Sequence, residues 1–187
     1  MSSDRLFILS GPSGVGKTTL CQAVAKKLHL YYSISTTTRP IRKGEKDGEN
    51  YFFVSETKFQ KAIKRGAFLE HAQVHGSYYG TRKDLVEQHL QKGQGVILDL
   101  DPQGALQIKK IFPLAVLIFI KPPNLDSLKA RIASRRTDSP ETIARRMANA
   151  TQELAFEQHY DHVIVNHELS ETVQVVADII ESYRKNG

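Results

Sequence analysis

An octapeptide near the amino terminus, Gly11-Pro12-Ser13-Gly14-Val15-Gly16-Lys17-Thr18, constrains this 187-residue chain more than any other segment. It satisfies G-x-x-x-x-G-K-[ST], follows the apolar run Leu6-Phe7-Ile8-Leu9 and precedes a helical pattern from Lys17 to Leu28. The glycines let successive backbone N–H groups turn inward around phosphate oxygens with no Cβ in the way. The helix that follows aims the positive end of its dipole at the same anion. Lys17 adds a point charge for the β- and γ-phosphates, and Thr18 offers a hydroxyl to Mg²⁺. Every residue from Gly11 through Thr19 is therefore an expected contact to a nucleoside triphosphate. The loop alone says only "phosphate", because ATPases, GTPases and many kinases share it.

Composition narrows the field by exclusion. Hydrophobic residues make up 40% and charged residues 25%, the balance of a globular chain with an apolar core, and the length suits one domain. A formal charge of +6 favours polyanionic ligands without choosing between nucleic acid and free nucleotides. No RNA-binding motif is present, so no nucleic-acid partner is expected. The lone cysteine, Cys21, cannot close an internal disulfide, and no CxxC or Cys/His cluster suggests zinc. It reads as a small buried residue in a reducing compartment. Asp4 and Arg5 run straight into the first apolar stretch with no secretory h-region. The longest apolar run, Leu114 to Ile120, is far short of the roughly 20 residues that span a bilayer. A cytoplasmic protein without membrane association is expected.

Runs rich in Val, Ile, Leu and Phe at 6–9, 96–100 and 116–120, with a shorter one at 162–165, read as buried parallel strands. Helical segments separate them, among them 17–28 and 103–111, the latter ended by Pro113. A last helix sets Val173, Val176, Ala177 and Ile180 on one face. Between about 33 and 88, short strand-like pieces at 51–54, 68–74 and 77–81 are punctuated by glycines. From about 124 to 158 the chain is helical and arginine-rich, with Ser139-Pro140-Glu141 as a helix start and an apolar stripe of Ile143, Met147, Ala150 and Leu154. The expected architecture is α/β: a three-layer α/β/α phosphate-loop core on a parallel sheet (1–32, 89–123 and 159–187), an inserted mixed lobe (33–88) and a helical lid (124–158).

Several motifs in order carry a more specific signal. They are Ser35-Thr36-Thr37-Thr38-Arg39, Arg42, Gly44-Glu45, Asp47-Gly48, Tyr51-Phe52-Phe53-Val54, Phe68-Leu69-Glu70 and His75-Gly76-Ser77-Tyr78-Tyr79-Gly80-Thr81. Leu98-Asp99-Leu100-Asp101, Arg131, Arg135-Arg136-Thr137-Asp138, Arg145-Arg146 and Val163-Ile164-Val165-Asn166 follow. With the phosphate loop, this series resembles the guanylate kinase family over residues 5 to about 183. The resemblance implies Mg²⁺-dependent transfer of the ATP γ-phosphoryl group to GMP, with ATP and GMP as the partners and no obligatory protein partner. It departs from the usual pattern at Ser134 and Arg136, which flank Arg135 where family members often carry glycine. It departs again at Pro102, where an apolar residue is usual.

The chemistry of the matching residues agrees. Two guanidinium forks, Arg39 and Arg42, with the phenols of Tyr51 and Tyr79, suit a terminal monoester phosphate. Glu70 sits in an apolar stretch where an unpaired carboxylate is costly. Guanine offers a ring N–H beside an exocyclic amino group, which one carboxylate can accept together, whereas adenine presents a lone pair at the ring position. The resemblance assigns Ser35, Glu70 and Thr81 to the base. Asp99 and Asp101 end one strand on the same face, in reach of a ligand crevice. Asp99 is expected beside the magnesium with Thr18. Asp101 resembles a contact on the GMP side, or caps the helix that follows. The resemblance gives Arg131, Arg135 and Arg146 the stabilisation of the transferred group, and Asn166 the ATP side. A non-catalytic interaction module of the same family, and a kinase for another nucleoside monophosphate, are the alternatives. The intact loop and the Arg39, Arg42 and Glu70 set argue against both.

Overall fold

A computed structural model describes residues 6–74, 76–133 and 140–185. Its larger sheet contains β1 (Leu6–Ser10), β2 (Tyr31–Ser33), β7 (Val96–Asp99), β8 (Val116–Lys121) and β9 (His162–Val165). The order is β2-β7-β1-β8-β9, and every pairing is parallel. Strand β1 is central, and its register sets Leu9 level with Asp99 on one side and Ile118 on the other. Its carboxyl end therefore lies where the chain order diverges to both sides, the place where such sheets bind ligands.

Side-chain alternation divides two cores between two helical layers. Phe7, Leu9, Ile97, Ile118 and Ile120 pack beneath α1 (Lys17–Leu28) and α7 (Leu169–Lys185). Leu6, Ile8, Val96, Leu98 and Leu117 pack on the other face with α4 (Pro102–Ile111), and Val86 of α3 (Lys83–Gln91) joins them. Burial on both faces is why these strands read as continuous apolar runs. Cys21 is fully buried, and its thiol faces the Leu98 carbonyl at 3.5 Å.

The second sheet has the order β4-β3-β6-β5, with β3 (Thr36–Thr37), β4 (Phe52–Phe53), β5 (Phe68–Val74) and β6 (Ser77–Arg82). Helix α2 (Glu56–Lys64), capped by the Ser55 side chain, covers one face. Its Phe59 is fully buried and stacks on Phe68 and Tyr78, with centroids 4.5 and 5.5 Å away. Strands β5 and β6 pair Phe68 with Arg82 but Glu70 with Thr81, so Leu69 is an extra residue at a β-bulge. Neither α2 nor α3 has a clear signal in the sequence, because each is short and each buries only a single residue fully.

Helices α5 (Leu125–Ala133) and α6 (Pro140–Leu154) form a third element, followed by a 3₁₀ turn at Ala155–His159. Leu128 and Ile132 of α5 meet the expected α6 stripe at Ala150, Ile143 and Met147. Arg135, Arg136 and the expected cap Ser139 lie outside the described residues.

Candidate active site

The donor loop joins β1 to α1. Gly11 has φ 137°, and a Cβ there would stand 2.0 Å from the Ile120 carbonyl oxygen of β8, so only glycine fits. Gly16, at φ 97°, turns the chain into α1. Lys17 donates from Nζ to the carbonyls of Gly11 (2.6 Å) and Pro12 (3.1 Å), which keeps its ammonium over the loop. Thr18 Oγ1 donates to Asp99 Oδ2 at 2.5 Å. Burial pushes the Asp99 carboxyl up, opposed by Lys17 and by the Thr18 hydrogen bond.

The loop is held from three further directions. Asn166, just after β9 and 5% exposed, donates from Nδ2 to the Val15 carbonyl at 2.8 Å and accepts from Thr172 Oγ1 at 2.9 Å. The structure thus sets Asn166 as a brace of the loop. Arg131 of α5 donates to the same Val15 carbonyl at 3.2 Å. Arg146 of α6, 8% exposed, donates to Ser13 Oγ at 3.3 Å. Ser13 N–H donates to Glu153 Oε2 at 3.0 Å. Glu153 is a cleft residue that sequence reasoning missed. Burial pushes its carboxyl up, Lys17 and the Ser13 amide pull it down, and Asp101 raises it again. Its signal was positional: Thr142, Arg146 and Glu153 sit one residue before Ile143, Met147 and Leu154 of the apolar stripe, so they form a parallel polar edge.

Across the strand ends stand the residues expected to serve the acceptor. Arg39 makes a two-pronged contact to Glu45, with Nη2 to Oε1 at 2.7 Å and Nη1 to Oε2 at 3.0 Å. Its guanidinium lies over Tyr51 at 5.3 Å and Phe53 at 5.7 Å. Glu45 also accepts from the Arg42 amide at 2.8 Å. The Arg39 hydrogen bonds hold the Glu45 carboxyl below its usual range. Glu45 therefore fixes the guanidinium plane, a role that the sequence reading left unassigned. The Arg42 side chain is exposed on the rim, and Tyr51 and Tyr79 meet edge to face at 6.0 Å. Burial pushes the Tyr51 hydroxyl up to about 12.

Glu70 is 5% exposed and its Oε1 accepts from Thr81 Oγ1 at 2.6 Å. Burial, opposed by that hydrogen bond and reinforced by Asp101, pushes its carboxyl up to about 7. Asp101 caps α4 by accepting from the Gly104 amide at 2.7 Å, and it also lines the cleft. One cleft of about 780 Å³ is lined by the loop, Ser35, Arg39, Arg42, Tyr51, Tyr79, Glu70, Asp99, Asp101 and the α6 edge.

A phosphate loop on one wall and an arginine-rich, carboxylate-bearing pocket on the other define a phosphate-loop kinase with two facing nucleotide sites. A sequence profile described as Guanylate kinase matches residues 3–183. A guanylate kinase of Fusobacterium nucleatum is 45% identical over 182 residues, covering 97% of this chain and 98% of its own. One of Gloeobacter violaceus is 48% identical over 177 residues, covering 94% and 86%. The crystal structure of guanylate kinase from Anaplasma phagocytophilum superposes with a TM-score of 0.81 at 31% identity, covering 98% of this chain and 88% of that one. A shikimate kinase structure from Bacteroides thetaiotaomicron, 16% identical with a TM-score of 0.53, shares the fold alone. The chain belongs to the guanylate kinase family, and it is an ATP:GMP phosphotransferase.

Proposed function

We propose that the chain moves the γ-phosphoryl group of ATP directly onto the phosphate of GMP by Mg²⁺-dependent in-line displacement, giving ADP and GDP. One cleft carries the reading: the loop with Lys17 forms one wall, and the buried Glu70–Thr81 pair stands on the opposite side. The loop amides from Gly11 to Thr19 and Lys17 bind the ATP phosphates. Arg39 and Arg42, with Tyr51 and Tyr79, hold the GMP phosphate. Glu70 accepts from the guanine ring N–H and amino group, and Ser35 and Thr81 complete the base pocket. No general base is needed, because a monoester phosphate already carries about −1.5 to −2 charge near neutral pH. Catalysis is positioning plus charge stabilisation. Arg131 and Arg146, which donate to the loop at Val15 and Ser13, are assigned the stabilisation of the transferring group. Arg135, outside the described residues, is assigned the same work on its motif alone.

The adjacent hydroxyl of Thr18 and carboxylate of Asp99 are hard oxygen donors that fit Mg²⁺. When bound, Mg²⁺ neutralises charge on the phosphate oxygens. The division of labour follows the three segments: donor core at 1–32, 89–123 and 159–187, acceptor lobe at 33–88, lid at 124–158. Closure of the lid excludes water that would otherwise accept the phosphoryl group. The setting we assign is cytoplasmic purine nucleotide metabolism. Among the described residues no helix is long and apolar enough to cross a membrane. A coupled ADP-release assay with GMP, dGMP, AMP and UMP tests the reading. Turnover should be confined to the guanine nucleotides, and equal turnover with AMP or UMP would sink it.

A further inference from the structure

Helix α4 begins Pro102-Gln103-Gly104, so Gly104 occupies its first turn. Glycine is a poor helix former, and the φ of Gly104 is not in the positive range that would demand one. The backbone therefore gives no reason for glycine here. The neighbours do. A Cβ on Gly104 would stand 2.9 Å from Glu70 Oε2, 3.3 Å from Glu70 Cδ and 3.2 Å from Asp101 Oδ1.

Glu70 cannot simply retreat from such a contact. Its Oε1 is tied to Thr81 at 2.6 Å, and its backbone is committed by the bulge at Leu69, itself 7% exposed. The carboxylate is thus pinned between Thr81 on the lobe and the bare Cα of Gly104 on the core helix. Asp101 Oδ1 is pinned too, because it accepts from the Gly104 amide.

We propose that Gly104 is a specificity-determining positioning residue. Its missing side chain leaves the space that lets the Glu70 carboxylate lie flat to the guanine edge and accept two hydrogen bonds at once. The inference rests on the reading of Glu70 as the guanine acceptor. A methyl group at residue 104 turns the carboxylate out of that plane, so the bond to the 2-amino group is lost. Gly104 has no contact with the donor loop among those that a Cβ would make, so ATP binding is spared.

The test is Gly104→Ala, assayed with GMP and with inosine monophosphate, which lacks only the 2-amino group. Expected are a rise of at least tenfold in KM for GMP, a KM for ATP within twofold of wild type, and a folded protein whose thermal midpoint falls by a few degrees, since the clash with the pinned carboxylates outweighs the helix preference of alanine. The GMP-over-IMP preference should collapse toward one, a change that general loosening of the fold would not produce. Glu70→Asp, which draws the carboxylate back by one methylene, should be damaging alone but cost little more when added to Gly104→Ala. A GMP KM and a GMP/IMP ratio both within twofold of wild type in Gly104→Ala, while Glu70→Ala impairs GMP use, would overturn the role of Gly104 and leave the guanine reading intact. A Glu70→Ala variant with unchanged GMP kinetics would remove the guanine reading and this inference with it. Equal loss of ATP and GMP binding in Gly104→Ala, or its failure to fold, would likewise refute selective positioning.

Discussion

If Glu70 accepts from guanine as proposed, its carboxyl, pushed up to about 7 by burial, should make GMP binding a proton-coupled event. Only the ionised form can accept from both guanine N–H groups, so the apparent dissociation constant scales as 1 + 10^(pKa − pH). That factor is about 1.1 at pH 8 and about 11 at pH 6, a tenfold weakening worth roughly 1.4 kcal/mol. The same group governs stability in the free protein. Its folded pKa lies above the unfolded value, so its favourable contribution is complete below about pH 4.5. It declines as pH rises and is gone above about 7, a span of roughly 3 kcal/mol. Calorimetric titration of GMP at pH 6, 7 and 8, in two buffers of different ionisation enthalpy, measures affinity and proton release together. The phosphate of GMP titrates near pH 6 as well, so the informative quantity is the wild-type profile minus that of Glu70→Gln. The difference should show close to one proton released near pH 6 and almost none at pH 8. A flat difference profile, or GMP affinity in wild type that strengthens as pH falls relative to the variant, would refute the assignment. Independently, Glu70→Gln should melt higher than wild type at pH 8 and lose that advantage near pH 5.

Lys17→Ala should abolish most turnover together with ATP binding, and Arg39→Ala should abolish turnover with ATP binding largely kept; loss of ATP binding in the second variant would contradict the acceptor assignment. Glu45→Gln removes the charge that orients the Arg39 fork, so KM for GMP should rise severalfold, with a fall of a few degrees in melting temperature because the bidentate pair is part-buried. Asn166→Ala removes a buried donor to the Val15 carbonyl, which Arg131 still serves, and should cost about 1–2 kcal/mol of stability, seen as a fall of a few degrees in melting. Glu153→Gln keeps an acceptor for the Ser13 amide but removes an anion from the donor cleft, so KM for ATP at pH 8 should fall by a small factor; a rise would indicate that the charge itself holds the loop.

Much of the donor half is legible in one dimension. Eight consecutive residues between an apolar strand and a helix define a backbone conformation and a charge, and the interactions that make the site are local. The strands of the core are equally plain, because burial on both faces leaves uninterrupted apolar runs over 96–98 and 116–120. The residue types of the acceptor pocket can also be read, since Arg39, Arg42 and Glu70 are chemically unusual where they stand.

Their partners cannot be read that way. An alternating reading of Phe68–Val74 has no place for the extra residue Leu69, yet that bulge is what brings Glu70 opposite Thr81. Glu45 gains its meaning from a bidentate grip on Arg39, and Asn166 from a carbonyl 151 residues away. Glu153 meets Ser13 across 140 residues, and Gly104 matters because a carboxylate from the other sheet lies against it. Side-chain chemistry and local backbone preference are written residue by residue. Which groups meet, at what distance and in how much water, is set by how separate segments pack, and that depends on the whole chain at once.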